Sequence, residues 1–252
     1  MRVDNTESPT AVETLNLHGR SPIVLICEHA SNYVPPEYDG LGLSPADLAR
    51  HIAWDVGAAD VTRALSERLD APAFLGTHSR LLVDLNRPLG VAGSITERSE
   101  ATDIPGNIGL SGVERERRVQ RIFVPFQAAI AAHMTHREQA GRRSVVVCIH
   151  SFTPVYLGKS RPWHIGVLFD KGASLAQAII SGIQRSHPSC NVGANVPYAV
   201  SPDEDYALLV YGDNRNIPAT LIEIRHDLIA SREGADLWAG RLAQVLSEAV
   251  SS

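Results

Sequence analysis

Three stretches of this chain combine residues that do chemistry with a backbone that would bury them. Thr220-Leu-Ile-Glu-Ile-Arg-His-Asp227 alternates apolar and polar residues around Glu223, the pattern of a short buried strand with one carboxylate in its middle. An ionised carboxylate in such a place must meet a cation, a metal ion or a set of donors. Arg225 is two residues on and shares its face, so a Glu–Arg ion pair is the plain alternative to a chemical role. His29 follows the aliphatic run Ser21-Pro-Ile-Val-Leu-Ile-Cys27, and His150 follows Arg143-Ser-Val-Val-Val-Cys-Ile149. Imidazole is a common zinc ligand, and catalytic zinc uses three protein ligands and one open position. Either histidine alone reads as a hydrogen-bonded loop residue; the two together with a buried Glu make a candidate metal centre. Arg80 and Arg87 flank Leu81-Leu-Val-Asp-Leu85. A guanidinium holds a carboxylate through two parallel donors, so these arginines suit an acidic substrate. Asp84 between them either orients one of them or closes a purely structural network with both.

The elements that must position these groups are legible in outline. The continuous apolar runs before His29 and His150 predict central strands covered on both faces. Further strands are expected at 73–77, at 81–85, and at Ile165-Gly-Val-Leu-Phe169, which ends in Asp170. Ser44-Pro45 predicts a helix start. That helix, or two in sequence, would run through Asp55 to about Leu69 and put His51 and Asp55 on one face. Helices are also expected over 113–140, 174–185 and 233–250. Residues 1–18 read as a loosely held arm, 90–112 as a long surface loop, and 191–202 as irregular. Strands alternating with helices predict one α/β domain with a largely parallel sheet. Ligands of such sheets gather at the carboxyl ends of strands, where His29, Arg87, His150 and Asp170 are expected.

Composition narrows the classes. The chain has 252 residues, 44% hydrophobic and 20% charged, with a formal net charge of −5. That is ordinary for a protein with a sizeable core. There is no basic tract to favour nucleic acid or an acidic membrane surface. No apolar run reaches spanning length, and the polar start lacks the apolar core of a signal peptide. Cys27, Cys148 and Cys190 lack metal-like spacing and suit a reducing compartment, so a cytoplasmic location is expected.

Val83-Asp-Leu-Asn-Arg87, Ile149-His-Ser-Phe152 and Ile222-Glu-Ile-Arg225, in that order, resemble the signature segments of the zinc carboxypeptidase superfamily. Glu28-His-Ala-Ser-Asn32, His51-Ile-Ala-Trp-Asp55 and Ser79-Arg80 extend the likeness. From about Pro22 to Asp227 the chain is similar to the N-formylglutamate amidohydrolase family. The resemblance implies a three-layer αβα sandwich around a mostly parallel mixed sheet, and one Zn²⁺ ion bound in part by His29 and His150. It further implies Glu223 as the base that activates water, with Arg80, Asn86 and Arg87 holding substrate carboxylates. One position departs from the pattern: Asn32 stands where the superfamily has a glutamate ligand. A neutral amide is a poor zinc ligand, so the third ligand is expected to be Asp55, with Glu28 as second choice. The implied substrate is a small acidic N-acyl amino acid, N-formyl-L-glutamate, cleaved to formate and glutamate. A carboxypeptidase-like peptidase and a carboxylate-binding protein that has lost its metal are the alternatives.

Overall fold

The two long aliphatic runs have no polar face to offer water, so they must lie mid-sheet with cover on both sides. In the computed structural model, which describes residues 9–202 and 204–251, they do. Ile23–Cys27 (β2) and Val145–Phe152 (β6) are buried along their whole length. Beside them run Ala73–Gly76 (β3) and Ala219–Arg225 (β11). The sheet has seven strands, completed by Val12–Leu15 (β1), Ile165–Leu168 (β9) and Val192–Ala194 (β10), in the order β1-β3-β2-β6-β11-β9-β10. The four central strands β3, β2, β6 and β11 are mutually parallel.

Side chains alternate across each strand, and β6 shows where they go. Val145, Val147 and Ile149 join one core under the helices Ala58–Leu69 (α2), Ala173–Ser186 (α5) and Arg232–Ser251 (α6). Val146 and Cys148 join a second core under Val124–Gln139 (α4). The result is the expected αβα sandwich with a mostly parallel sheet. Gly112–Arg118 (α3) leads into α4 through a wider helical turn at Val119–Phe123, so the predicted 113–140 helix is continuous in direction. Among the described residues no helix is long and apolar enough to cross a membrane, and all three cysteines are free thiols.

The structure departs from the sequence reading in five places. Within the expected N-terminal arm, β1 pairs antiparallel with β3, while residues 1–8 lie outside the described residues. The 44–69 stretch is two helices in sequence, one of the two expected forms, but the break between them takes in Asp55. Pro45–Leu48 (α1), capped by Ser44 as predicted, stops at once; a run of turns follows, and α2 begins only after Gly57. At φ 82°, Gly57 takes a conformation costly for any side chain, and a Cβ there would press on the Ile229 carbonyl. Asp55 therefore sits in a turn, not on a helix face. Residues 81–85 are buried but are not a strand, because their backbone groups bond elsewhere: Leu81 O accepts from Asn107 Nδ2 (2.8 Å), Leu82 O from Arg118 Nη1 (3.3 Å) and Leu85 O from Gln127 Nε2 (2.8 Å). β9 runs antiparallel to β11, so Asp170 leaves the sheet at the end opposite His29 and His150. The stretch expected to be irregular, 191–202, begins with β10, an edge strand parallel to β9.

Candidate active site

The site grows from the carboxyl ends of β2, β6 and β11. β2 ends at Cys27, and the turn that follows aims both Glu28 and His29 at the sheet end; each is almost fully buried. β6 runs on through His150, which pairs laterally with Glu223 of β11. Asp55 is brought in by its turn, where its N–H donates to the His29 carbonyl at 2.9 Å.

Hydrogen bonds fix which histidine nitrogens face the centre. A carboxylate only accepts. His29 Nε2 lies 2.7 Å from Asp84 Oδ1, and His150 Nε2 lies 2.9 Å from Glu28 Oε2, so both Nε2 atoms are donors. Both Nδ1 atoms are left facing Asp55 Oδ2, at 3.4 Å from His29 and 2.9 Å from His150. The Ser151 N–H also donates to that oxygen, at 3.2 Å. Histidines that ligate metals almost always give their other N–H to a carboxylate or carbonyl, which sets tautomer and ring direction. His29, Asp55 and His150 form a buried group that can hold a metal ion, with ligand atoms within 4.8 Å of one another. Glu28, the second choice as a ligand, instead braces His150. Asn32 turns away and donates to the Leu48 carbonyl at 2.9 Å.

Electrostatics show that the centre favours positive charge. Burial disfavours the charged form of His150, yet Glu28 and Asp55 outweigh it and raise the imidazole well above its usual range. Burial and Arg80 oppose charge on His29, and Asp84 with Asp55 overcome them. Burial would raise Asp55 and Asp84, but His29 and His150 hold Asp55, and Arg80 with His29 hold Asp84, well below the usual carboxylate range. The pocket thus presents electron-rich groups to two histidines, the balance a divalent cation would satisfy. Glu223 behaves differently: burial dominates, Asp55 adds to it, and the carboxyl is pushed up to about 7. Its Oε2 is buried without a hydrogen-bond partner. The alternative ion pair with Arg225 is not formed, because Arg225 turns to Asp227, with Nε 2.8 Å from Oδ1.

The predicted substrate residues line the same cavity of about 270 Å³. Arg80 is clamped to Asp84 through Nη2 (2.6 Å) and Nε (3.1 Å), with Nη1 3.6 Å from Asp55. Arg87 is held more loosely, 3.8 Å from Asp84 and 3.4 Å from the exposed Glu204. Asn86 uses its carbonyl to accept from the N–H groups of Tyr206 and Ala207, leaving its amide beside Asp205 at 3.5 Å. Asp84 does more than orient an arginine: it braces His29, Arg80 and the Asn86 N–H together. Sequence reasoning missed the other lining residues Tyr156, Tyr198, Asp205 and Glu100, with His51 beside Glu100 at 3.3 Å. Tyr198 lies in a stretch without periodicity, so nothing local marked it. Glu100 came from the long 90–112 loop, whose length was the only signal.

Comparison with known proteins bears on this arrangement. Residues 21–230 match the family model for N-formylglutamate amidohydrolase. Among curated proteins none matches. The crystal structure of a gene product from Agrobacterium tumefaciens is 38% identical, covering 96% of each chain with a TM-score of 0.92. That of an N-formylglutamate amidohydrolase from Ralstonia eutropha shares the fold at 18% identity and a TM-score of 0.76, covering 96% of this chain and 98% of that one. The matched span contains His29, Asp55 and His150, the group that can hold a metal ion, and Glu223, and the chain belongs to the N-formylglutamate amidohydrolase family of hydrolases acting on amide bonds.

Proposed function

We propose that the protein is a zinc-dependent amidohydrolase that cleaves N-formyl-L-glutamate to formate and L-glutamate. The observation that carries this reading is the convergence of His29 Nδ1, His150 Nδ1 and Asp55 Oδ2 beside an unpartnered Glu223 carboxylate oxygen. Two imidazoles and one carboxylate suit zinc as a catalytic ligand set with a position left open. When bound, the ion supplies Lewis-acid polarisation of the scissile carbonyl and makes water acidic enough to attack at neutral pH. Asp84 and Glu28 keep the two histidines in the ligating tautomer. Glu223, with its carboxyl near neutrality, takes a proton from the attacking water and returns it to the departing nitrogen. Arg87, whose partners Asp84 and Glu204 are distant or exposed, is the freer of the two cavity-lining arginines to pair with a substrate carboxylate. Arg80 is committed to Asp84, and its remaining Nη1 faces the reaction side of the cavity.

The test is product analysis. Metal-loaded protein incubated with N-formyl-L-glutamate should release formate and glutamate in equal amounts, and should leave a C-terminal dipeptide intact. Arg87→Ala should raise KM for N-formyl-L-glutamate much more than for its diamide. Cleavage of the dipeptide in preference would favour the peptidase reading, and absence of bound metal would favour a binding protein.

A further inference from the structure

One cation beside the cavity has no role in the chemistry above. Val155–Tyr156 (β7) and Lys159–Ser160 (β8) form a small hairpin, and Arg161 leaves it with its N–H bonded to the Pro154 carbonyl at 2.8 Å. Its guanidinium lies 4.5 Å from the Tyr156 ring centroid, 4.8 Å from Tyr198 and 6.0 Å from Phe152. Tyr156 and Tyr198 are themselves part of the cavity wall that contains Glu223. Among the described residues the side chain's one hydrogen bond is from Nη1 to the Tyr198 hydroxyl, at 2.9 Å. Among the described residues no carboxylate pairs with Arg161, whereas Arg80 and Arg87, the arginines that line the cavity, are both paired with acids.

Aromatic faces fix the plane of a guanidinium without neutralising its charge. Four of its five N–H donors are left for another acceptor. The rest of the wall is rich in acids: Asp84, Glu100, Glu204, Asp205 and Glu223. Of the two arginines in that wall, Arg80 is clamped to Asp84, which leaves Arg87 for one substrate carboxylate and no lining arginine free for a second.

We propose that Arg161 binds the side-chain carboxylate of the substrate, while Arg87 binds the α-carboxylate, so that the pair selects N-acyl acidic amino acids over neutral ones. The assignment rests on the amidohydrolase reading for its substrate. Its geometric basis is that Arg87 neighbours Asp84, the partner of the ligand histidine His29, whereas Arg161 adjoins the cavity wall at Tyr156 and Tyr198.

The test measures binding without turnover. Zinc-loaded Glu223→Gln protein is titrated with N-formyl-L-glutamate and N-formyl-L-glutamine, with and without Arg161→Ala. Arg161→Ala should weaken the glutamate ligand by roughly 10- to 100-fold, the size of a hydrogen bond to a charged group, and leave the glutamine ligand nearly unchanged. Arg161→Lys should restore part of the preference. Equal weakening of both ligands would overturn the proposal and reduce Arg161 to a brace for the two tyrosines; no weakening of either would overturn it as well. Selective weakening in a protein whose wild type does not hydrolyse N-formyl-L-glutamate would sink the reaction and keep the carboxylate site. Failure of N-formyl-L-glutamate to bind even before Arg161 is changed would overturn both.

Discussion

Glu223 and Asp55 are both buried carboxylates that interact with the same two histidines, yet their environments push them in opposite directions. Burial dominates at Glu223 and lifts it to about 7, while at Asp55 the two histidines more than cancel burial and hold it ionised. The division fits a proton acceptor beside a metal ligand. Glu223→Gln should therefore keep bound metal and lose roughly 10²–10⁴-fold in turnover, the usual size of a general-base contribution. Near-normal turnover would show that the carboxylate serves only the sheet. The two ligand candidates separate in the same way. Asp55→Asn should lose most of the metal, because Asp55 Oδ2 stands between both Nδ1 atoms. Glu28→Gln should retain metal with affinity reduced by roughly 10–100-fold, the effect of disturbing an outer partner of a ligand histidine. Metal content and dissociation rate in the two variants check this, and the reverse order would make Glu28 the ligand.

At the scale of elements, the segment 81–87 shows how a site is held without a strand or helix. Arg118, on α3, is buried to 2% exposure. Its Nη1 donates to Leu82 O and, at 2.7 Å, to Asn107 Oδ1; Nη2 donates to Gly106 O, and Nε to Glu114 Oε1 at 3.2 Å. Replacing it leaves buried carbonyls without donors, at about 1–3 kcal/mol each. Arg118→Met should therefore lower stability by several kcal/mol and weaken substrate binding, because Asp84, Asn86 and Arg87 ride on the segment it anchors. Thermal melts and KM together check this; a stable variant with unchanged KM would contradict it. Helix α4 carries a second testable feature. His133 packs edge-on to Phe74 with ring centroids 5.3 Å apart, and burial, with Arg137 and Arg142 adding repulsion, lowers its pKa to about 4. The unfolded chain, with an ordinary imidazole near 6.5, takes up a proton in that interval and the folded protein does not. Stability from this residue is thus present above about pH 6.5 and is lost as pH falls towards 4. His133→Gln should make the melting temperature fall less steeply between pH 7 and pH 5 than in the parent protein; parallel curves would show that His133 is not depressed.

For the whole molecule, the αβα layering decides that the reactive groups share one end of the sheet. Glu28, Asp55, Asp84 and Glu223 then lie buried around two histidines and Arg80, a concentration of negative charge that folding alone does not favour. A bound cation stabilises the folded state by mass action, about 2.7 kcal/mol when free metal is 100 times its dissociation constant. Removing metal with a chelator should lower the melting temperature, and zinc should restore it. His150→Ala should abolish the zinc-dependent shift. An identical melting temperature with and without chelator would remove the metal centre from the account of this fold.

The sequence by itself determined the covered central strands, because an aliphatic run such as Ile23–Cys27 or Val145–Ile149 has no other stable place. It also determined that His29, His150 and Glu223 would leave or lie in those strands, and the order of its motifs pointed to the family. It did not determine which end of the sheet Asp170 occupies, since strand direction depends on pairing with distant segments: β9 turned out antiparallel, and Asp170 left the site. It misjudged 81–85, whose apolar pattern is that of a strand, because Asn107, Arg118 and Gln127 take over its backbone hydrogen bonds from 26 or more residues away. The sequence preferred Asp55 to Glu28 as a candidate ligand, but the position of Asp55 beside both Nδ1 atoms was tertiary. It required a break between α1 and α2, made possible by Gly57, that turned Asp55 inward while Glu28 took the far nitrogen of His150. Local pattern reports what must be buried; which buried groups meet is set by contacts between segments remote in the chain.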